Sequence, residues 1–182
     1  MATQKWALDA AHTEVTFKVR HLMISNVSGH FSKFEGSVET DGDDLTTAKV
    51  NFSIDVDSIS TNNEQRDGHL KSADFFDAAN HPKIVFESTK LEKADGDNYK
   101  LHGKLTIRET TKDVTFHVEF GGMQKDPWGN FRAGFTIDGK VNRKEYGLHW
   151  DAITETGGIM LADEVKFQSN AEFIKVVEAV TA

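Results

Sequence analysis

Eight histidines, His12, His21, His30, His69, His81, His102, His117 and His149, carry much of this chain's scope for proton transfer or metal ligation. No two are separated by one, two or three residues, so neither a His-x-His pair on a strand nor a His-Glu-x-x-His helix is present. Cysteine is absent, which removes thiolate nucleophiles, disulfides and every Cys-containing zinc pattern. No Gly-x-Ser-x-Gly elbow, phosphate-binding loop or dinucleotide fingerprint occurs either. The most suggestive polar group is Arg66, Asp67 and His69. On a helix, Arg66 and His69 share one face and could grip an anionic or carbonyl head group; Arg66 could equally pair with a carboxylate and only pin the helix.

Most of the chain must be strands that position these groups, because apolar residues recur with period two. Val15, Phe17 and Val19 alternate with polar neighbours, as do Phe34, Gly36 and Val38, and then Ala48, Val50, Phe52, Ile54 and Val56. Further strands begin at Ile84, Leu101, Val114, Ala133 and Val165, giving about eight by this template, with a short extra one from Trp6 to Leu8. If Ile107 faces Lys112, then Leu105 meets Val114, Gly103 meets Phe116 and Leu101 meets Val118, with Lys100 opposite Glu119. That register also sets His102 opposite His117, two imidazoles that lack the carboxylate of a built metal site. Two stretches break the alternation. Thr61 and Glu64 form a capping box and Asp67 and Lys71 an i,i+4 pair, which predicts a short helix from about Asn62 seated by Phe75 and Phe76. The second stretch, Asn142 to Asp163, is long enough for a binding loop.

The chain has 182 residues, one domain's length, with 21 Lys plus Arg against 29 Asp plus Glu. The net charge of −8 opposes broad affinity for phosphate backbones, so no nucleic-acid partner is expected. Of the aromatic residues 13 are Phe, against 3 Trp and 2 Tyr, so the aromatic surface is mostly surface that must be kept dry. No window approaches the roughly 20 apolar residues needed to cross a bilayer as a helix, and the wet strand faces are too polar for a lipid-facing barrel. The N-terminus shows no basic region followed by an apolar stretch, which predicts a cytoplasmic protein, or a secreted or periplasmic one where a leader has been removed. Consecutive one-sided strands predict an all-β antiparallel barrel, and eight strands enclose either a packed core or one small ligand. Small inward residues, Gly36, Ser88, Gly103, Ala133, Gly139, Ser169 and Ala171, sit beside the large Phe side chains. The pattern alone leaves a cavity and a filled core equally open.

Four segments then resemble a known family: Trp6-Ala-Leu-Asp-Ala-Ala-His-Thr-Glu-Val-Thr-Phe-Lys-Val-Arg-His-Leu-Met, Ser60-Thr-Asn-Asn-Glu-Gln-Arg-Asp-Gly-His-Leu-Lys-Ser-Ala-Asp-Phe-Phe, Gly103-Lys-Leu-Thr-Ile-Arg-Glu-Thr-Thr-Lys-Asp-Val-Thr and Asn142-Arg-Lys-Glu-Tyr-Gly-Leu. Together they look like the YceI-like family, over essentially the whole chain as a single domain, residues 1–182. The resemblance implies a lipocalin-like, extended antiparallel eight-stranded β-barrel with one or two short helices capping its mouth. It also implies an elongated apolar cavity for a polyisoprenoid chain, as in prenyl quinones or prenyl phosphates, or another long amphiphile, with no cofactor, no metal and no stable membrane insertion. The polar positions that match are His12, His21, Arg66, Asp67, His69, Asn142, Arg143 and Tyr146.

On that reading Phe17, Phe52, Phe86, Phe116, Phe135 and Phe173 line the tunnel. Arg66 and His69, with the loop from Arg143 to Trp150, close its mouth and meet the head group. The expected function is non-catalytic carriage or sequestration of a long-chain lipid. The alternative is an enzyme acting on such an amphiphile with His69 or His12 as general base. A homodimer is expected on general grounds, since barrel edges pair, and a stress-response role is what the family resemblance suggests.

Overall fold

Strand alternation closes the chain on itself. The computed structural model describes residues 3–22, 24–149 and 161–177. Its strands in chain order are β1 (Thr3–Leu8), β2 (Glu14–His21), β3 (Ser25–Phe31), β4 (Phe34–Asp41), β5 (Asp44–Asp55), β6 (Ile59–Ser60), β7 (Lys83–Lys93), β8 (Asn98–Ile107), β9 (Thr110–Lys125), β10 (Phe131–Asn142) and β11 (Leu161–Lys175), with one α-helix, α1 (Glu64–Lys71). All pairings are antiparallel. Neighbours run β1-β4-β5-β7-β8-β9-β10-β11, and β11 returns to β1 through Trp6↔Lys175 and Leu8↔Phe173, which completes a ring of eight. β8 shows the period most cleanly: Tyr99, Leu101, Gly103, Leu105 and Ile107 are buried while Lys100 and Lys104 are exposed.

The ring draws on a slightly different set of strands from the eight the alternation picks out. β1 and β2 lie end to end along the same edge of β11, β1 against residues near Phe173 and β2 against Val165, Phe167 and Ser169. Between them Asp9 starts a 3-10 turn, Ala10–His12, by accepting from the Ala11 amide at 3.1 Å. β3 pairs with β2 and the two-residue β6 pairs with β3, extending the wall at one end. The alternation of Val27, Gly29 and Phe31 was too short and too small-residue-rich to register as a strand.

The β8–β9 hairpin is registered two residues from the sequence expectation. The observed partners are Ile107↔Thr110, Leu105↔Lys112, Gly103↔Val114, Leu101↔Phe116 and Asn98↔Glu119. Arg108 and Glu109 make a two-residue connection, with Arg108 at φ +55°. A side chain other than Gly or Asn seldom accepts that conformation. Here the guanidinium anchors it by donating from Nη1 to the Phe75 carbonyl at 3.2 Å and the Gly147 carbonyl at 3.0 Å. A shift of two keeps every face correct. It does separate His102 from His117: His102 bonds Thr115 and Glu92, and His117 bonds Asn98 and Asp138, so the imidazole pair is not formed. α1 likewise starts later than expected, because Asn63, not Thr61, caps it by accepting from the Arg66 amide at 3.0 Å. Lys71 lies nearer Asp57, at 3.6 Å, than the expected Asp67 partner, whose carboxylate is occupied by Thr61.

Glycines decide how the interior is filled. Phe17 is the cross-strand partner of Gly29, Phe52 of Gly36 and Phe167 of Gly139. A Cβ on Gly36 would lie 2.8 Å from the Phe52 ring, one on Gly103 2.5 Å from the Phe86 ring, and one on Gly139 2.6 and 2.8 Å from Phe116 and Phe167. Each ring is therefore laid against bare backbone on the wall instead of projecting across the barrel. The space that Gly103 leaves belongs to Phe86, not to Phe116 as the expected register had it.

Outside the barrel, Arg132 ties three elements together. Its Nε donates to Asp126 at 2.8 Å and its Nη1 to Asp9 at 2.6 Å and Glu172 at 2.8 Å, linking the β9–β10 turn, the 3-10 turn and β11. The guanidinium holds the Asp9 and Asp126 carboxyls below the usual aspartate range.

Two outcomes are expected. Gly139→Ala, which forces two rings toward the lumen, should lower urea-unfolding stability by about 1–3 kcal/mol, whereas Gly68→Ala in α1, where a new Cβ meets nothing within 4 Å, should leave stability equal or higher. Depressed carboxyl pKa values stabilise the fold above the ordinary aspartate range and lose that contribution as pH falls through the lowered values. Melting curves of Arg132→Gln should accordingly lie below wild type at pH 7, with the gap closing toward pH 3; a pH-independent gap would contradict this account of the cluster.

Candidate functional site

The laid-back rings leave a cavity of about 710 Å³ along the barrel. Ala171 and Phe173 line it at one end and belong to a buried cluster with Trp6 and Ala133, packed by Phe120, Phe135 and Ile137. Above it, ring contacts run round the wall, Phe86 to Phe116 at 5.4 Å between centroids and Phe116 to Phe167 at 4.6 Å edge-on, with Phe135 against Phe173 at 5.9 Å. All six expected phenylalanines, Phe17, Phe52, Phe86, Phe116, Phe135 and Phe173, line this space. Sequence reasoning did not name Phe167, which shares the Gly139 site with Phe116, nor Leu148 and Leu161 near the mouth. Phe167 was present in the period-two run of β11 and could have been found there; the two leucines lie where the alternation stops.

Polar groups gather at the mouth, around α1. Phe75 is buried and Phe76 meets the Phe31 ring at 6.4 Å, so the expected apolar foot seats the helix. Behind the helix Thr61 organises its neighbours. Its hydroxyl donates to Asp67 and accepts from Arg66 Nε at 2.7 Å, while its carbonyl accepts from Arg66 Nη2 at 2.7 Å. Asp67 also accepts from the Thr61 amide at 2.8 Å. Arg66 is thus held in place by a threonine and not by a carboxylate: among the described residues it forms no ion pair. Arg66 also lines the cavity, and among the described residues its Nη1 makes no hydrogen bond. His69, also at the mouth, bonds Asp74 through Nε2 at 2.9 Å and sets its ring edge-on to Phe75 at 5.2 Å. Asn63, Gln65 and His21 complete the polar rim.

Arg143 has a different occupation from the head-group role its sequence position suggests. It is 3% exposed, and its guanidinium donates to the carbonyls of Ala162 at 2.9 Å, Leu148 at 2.8 Å and Leu161 at 3.3 Å. It fastens the end of β10 to the start of β11, and it is also one of the residues lining the cavity. Asn142 caps the following 3-10 turn by accepting from the Lys144 amide, and Gly147 ends that turn at φ +84°. Tyr146 is almost fully enclosed, and that burial pushes its phenol up to about 12. These positions build the rim, and of them only Arg143 is among the residues lining the cavity. Trp150, the last residue expected at the mouth, lies outside the described residues.

Among the described residues only Asp9, His12 and Glu172 bring three metal-capable groups together. Arg132 already donates to both carboxylates, so a fixed positive charge occupies the place a cation would need. His12 is 62% exposed on the outside of the barrel and bonds Asp9 at 2.7 Å, which takes it out of any low-dielectric pocket.

Three comparisons bear on this geometry. The YceI-like domain family model matches residues 6–173. A UPF0312 protein of Staphylococcus aureus strain N315 is 43% identical over 169 residues, covering 92% of this chain and 96% of its own. Among solved structures, a YceI protein of Campylobacter jejuni superposes with a TM-score of 0.75 at 33% identity over 93% of this chain and 96% of its own. BcnA of Burkholderia cenocepacia superposes with 0.79 at 24% identity over 91% of this chain and 98% of its own. A polyisoprenoid binding domain from Saccharophagus degradans, 13% identical and covering 94% of this chain and 98% of its own, shares the fold with a TM-score of 0.73. A closed antiparallel barrel of eight strands, an apolar lumen and a match spanning all but the ends of the chain agree: this chain belongs to the YceI-like domain family.

Proposed function

We propose that the protein binds a long-chain amphiphilic lipid of the polyisoprenoid class, as a carrier or sequestering protein that leaves its ligand chemically unchanged. The observation that carries this reading is the distribution of polarity: a closed lumen walled by phenylalanine and aliphatic side chains, with nearly all its polar groups collected at one mouth. A prenyl or acyl chain buries several hundred Å² of apolar surface, which at about 25 cal/mol per Å² is worth on the order of 10 kcal/mol before association costs. No directional chemistry is required of the wall. The description of the Saccharophagus degradans neighbour as polyisoprenoid binding fits the same use of the fold.

The head group then lies against α1. Arg66 offers Nη1 on a side chain already positioned by Thr61, so little freedom is lost on binding. His69, oriented by Asp74, stands beside it. The same Asp74–His69 pair is the observation that favours an enzyme, since a carboxylate-oriented imidazole at the edge of an apolar pocket is what a general base requires.

Native mass spectrometry of protein incubated with a prenyl quinone should show a one-to-one complex from which the quinone is recovered at its original mass. Recovery of a modified prenyl compound, and loss of that modification in His69→Ala, would establish the enzyme reading instead. Arg66→Gln should weaken binding of a prenyl phosphate about ten-fold while leaving a neutral prenyl quinone within about two-fold; equal losses would place Arg66 in the fold and not at the head group.

A further inference from the structure

The cavity has its mouth at α1 and ends before the strands do. β11 runs away from the mouth, and along it Ser169, Ala171 and Phe173 line the cavity, whereas Lys175, the next residue on that face, does not. Along β10, Ile137 and Phe135 line it, Ala133 is buried without lining it, and Phe131 is 42% exposed. Within these few residues the same apolar face passes from lumen to solvent. Phe131 pairs with Lys125, and the ammonium groups of Lys125 and Lys175 lie 5.8 and 5.5 Å from its ring centroid. Trp6 occupies the interval. It is the cross-strand partner of Lys175 and Val38, it is 6% exposed, and it packs with Ala133, Ala171 and Phe173 without being part of the cavity lining. Two of those three neighbours are alanines, so the indole supplies most of the bulk that closes this end.

A closed end gives the lumen a finite capacity. A methylene is close in size to a water molecule, whose share of liquid volume is about 30 Å³. On that scale the 710 Å³ cavity holds about 24 carbon atoms, or about four to five prenyl units of five carbons. An apolar wall gains with every methylene it covers and by itself sets no upper limit on chain length. A limit needs a fixed point at each end. Arg66, positioned by Thr61, supplies one at the mouth, and the Trp6 cluster supplies the other. Beyond Trp6 the inward row continues through Met123 and Phe131, both partly open to solvent, so a chain that passed this point would still meet apolar surface.

Resting on the lipid-binding reading above, we infer that Trp6 is a specificity residue that stops the chain: the preferred ligand is a prenyl compound of about four to five units, and a longer chain leaves its excess outside the mouth.

Competition among geraniol, farnesol, geranylgeraniol, hexaprenol and solanesol, read by native mass spectrometry, tests the limit. Wild type should gain about ten-fold or more in affinity per unit up to geranylgeraniol and change by less than about two-fold from hexaprenol to solanesol. Trp6→Leu should carry the rise past hexaprenol, with a gain of about ten-fold for solanesol over wild type. Ala171→Leu, which adds bulk on the lumen side of the stop, should end the rise at farnesol. Affinity that climbs steadily through solanesol in wild type overturns the inference and leaves lipid binding intact. So does a break that stays in place in Trp6→Leu, or in Ala171→Leu where the cavity left by Trp6→Leu prevents folding. Failure of wild type to bind any of the alcohols overturns both readings.

Discussion

The fold depends on aromatic rings resting on glycine backbone. A barrel of eight strands has an interior that large side chains would ordinarily fill. In this one Gly29, Gly36, Gly103 and Gly139 stand where Phe17, Phe52, Phe86, Phe116 and Phe167 would otherwise meet a Cβ. Each ring gains contact with the wall and gives up the space at the centre. The lumen is thus a consequence of where glycine is placed, and the phenylalanines that look like core-fillers by composition serve as its lining. The arrangement also explains how a chain with so much aromatic surface can hold a cavity without a loose wall, since the rings remain in contact with one another round the barrel.

Around this wall the polar residues divide by task. Arg143, Arg108 and Arg132 all look available for ligands from their residue type alone, yet each is committed to tying segments together. Arg143 holds three carbonyls around the β10–β11 connection, Arg108 holds two across the mouth-side loops, and Arg132 holds three carboxylates on the outer face. Arg66 differs from these three, because Thr61 engages Nε and Nη2 of its guanidinium, Nη1 makes no hydrogen bond among the described residues, and the side chain lines the cavity. A rigid wall, a fastened rim and one positioned cation at the opening are the arrangement that an amphiphile with a dry tail and a polar end requires.

The period-two pattern made the barrel and its inward row readable from sequence, since burial of one strand face is a strong and local constraint. Register was less readable. Arg108 occupies a conformation for which glycine or asparagine is the usual signal, so the two-residue turn was invisible and the β8–β9 pairing slid by two. β3 and β6 were missed because one is rich in small and polar residues and the other has two residues. The cavity itself was left open by the strand pattern, because a small residue beside a large one reads the same whether the ring fills the barrel or lies flat on the wall; that depends on cross-strand partners distant in sequence. Roles at the mouth were hidden for a similar reason. Nothing in the spacing of Arg143 shows that its acceptors are carbonyls near residue 161, and nothing in the type of Thr61 shows that it orients Arg66.

The central claim is that the lumen takes an apolar chain, so the most direct measurement is titration calorimetry with a quinone ring carrying prenyl tails of increasing length, repeated at several temperatures. The account predicts that affinity rises with each added prenyl unit until the cavity is filled, with a heat-capacity change that grows more negative in step. A tail-free quinone binding as tightly as its prenylated forms, with no change in heat capacity along the series, would contradict it.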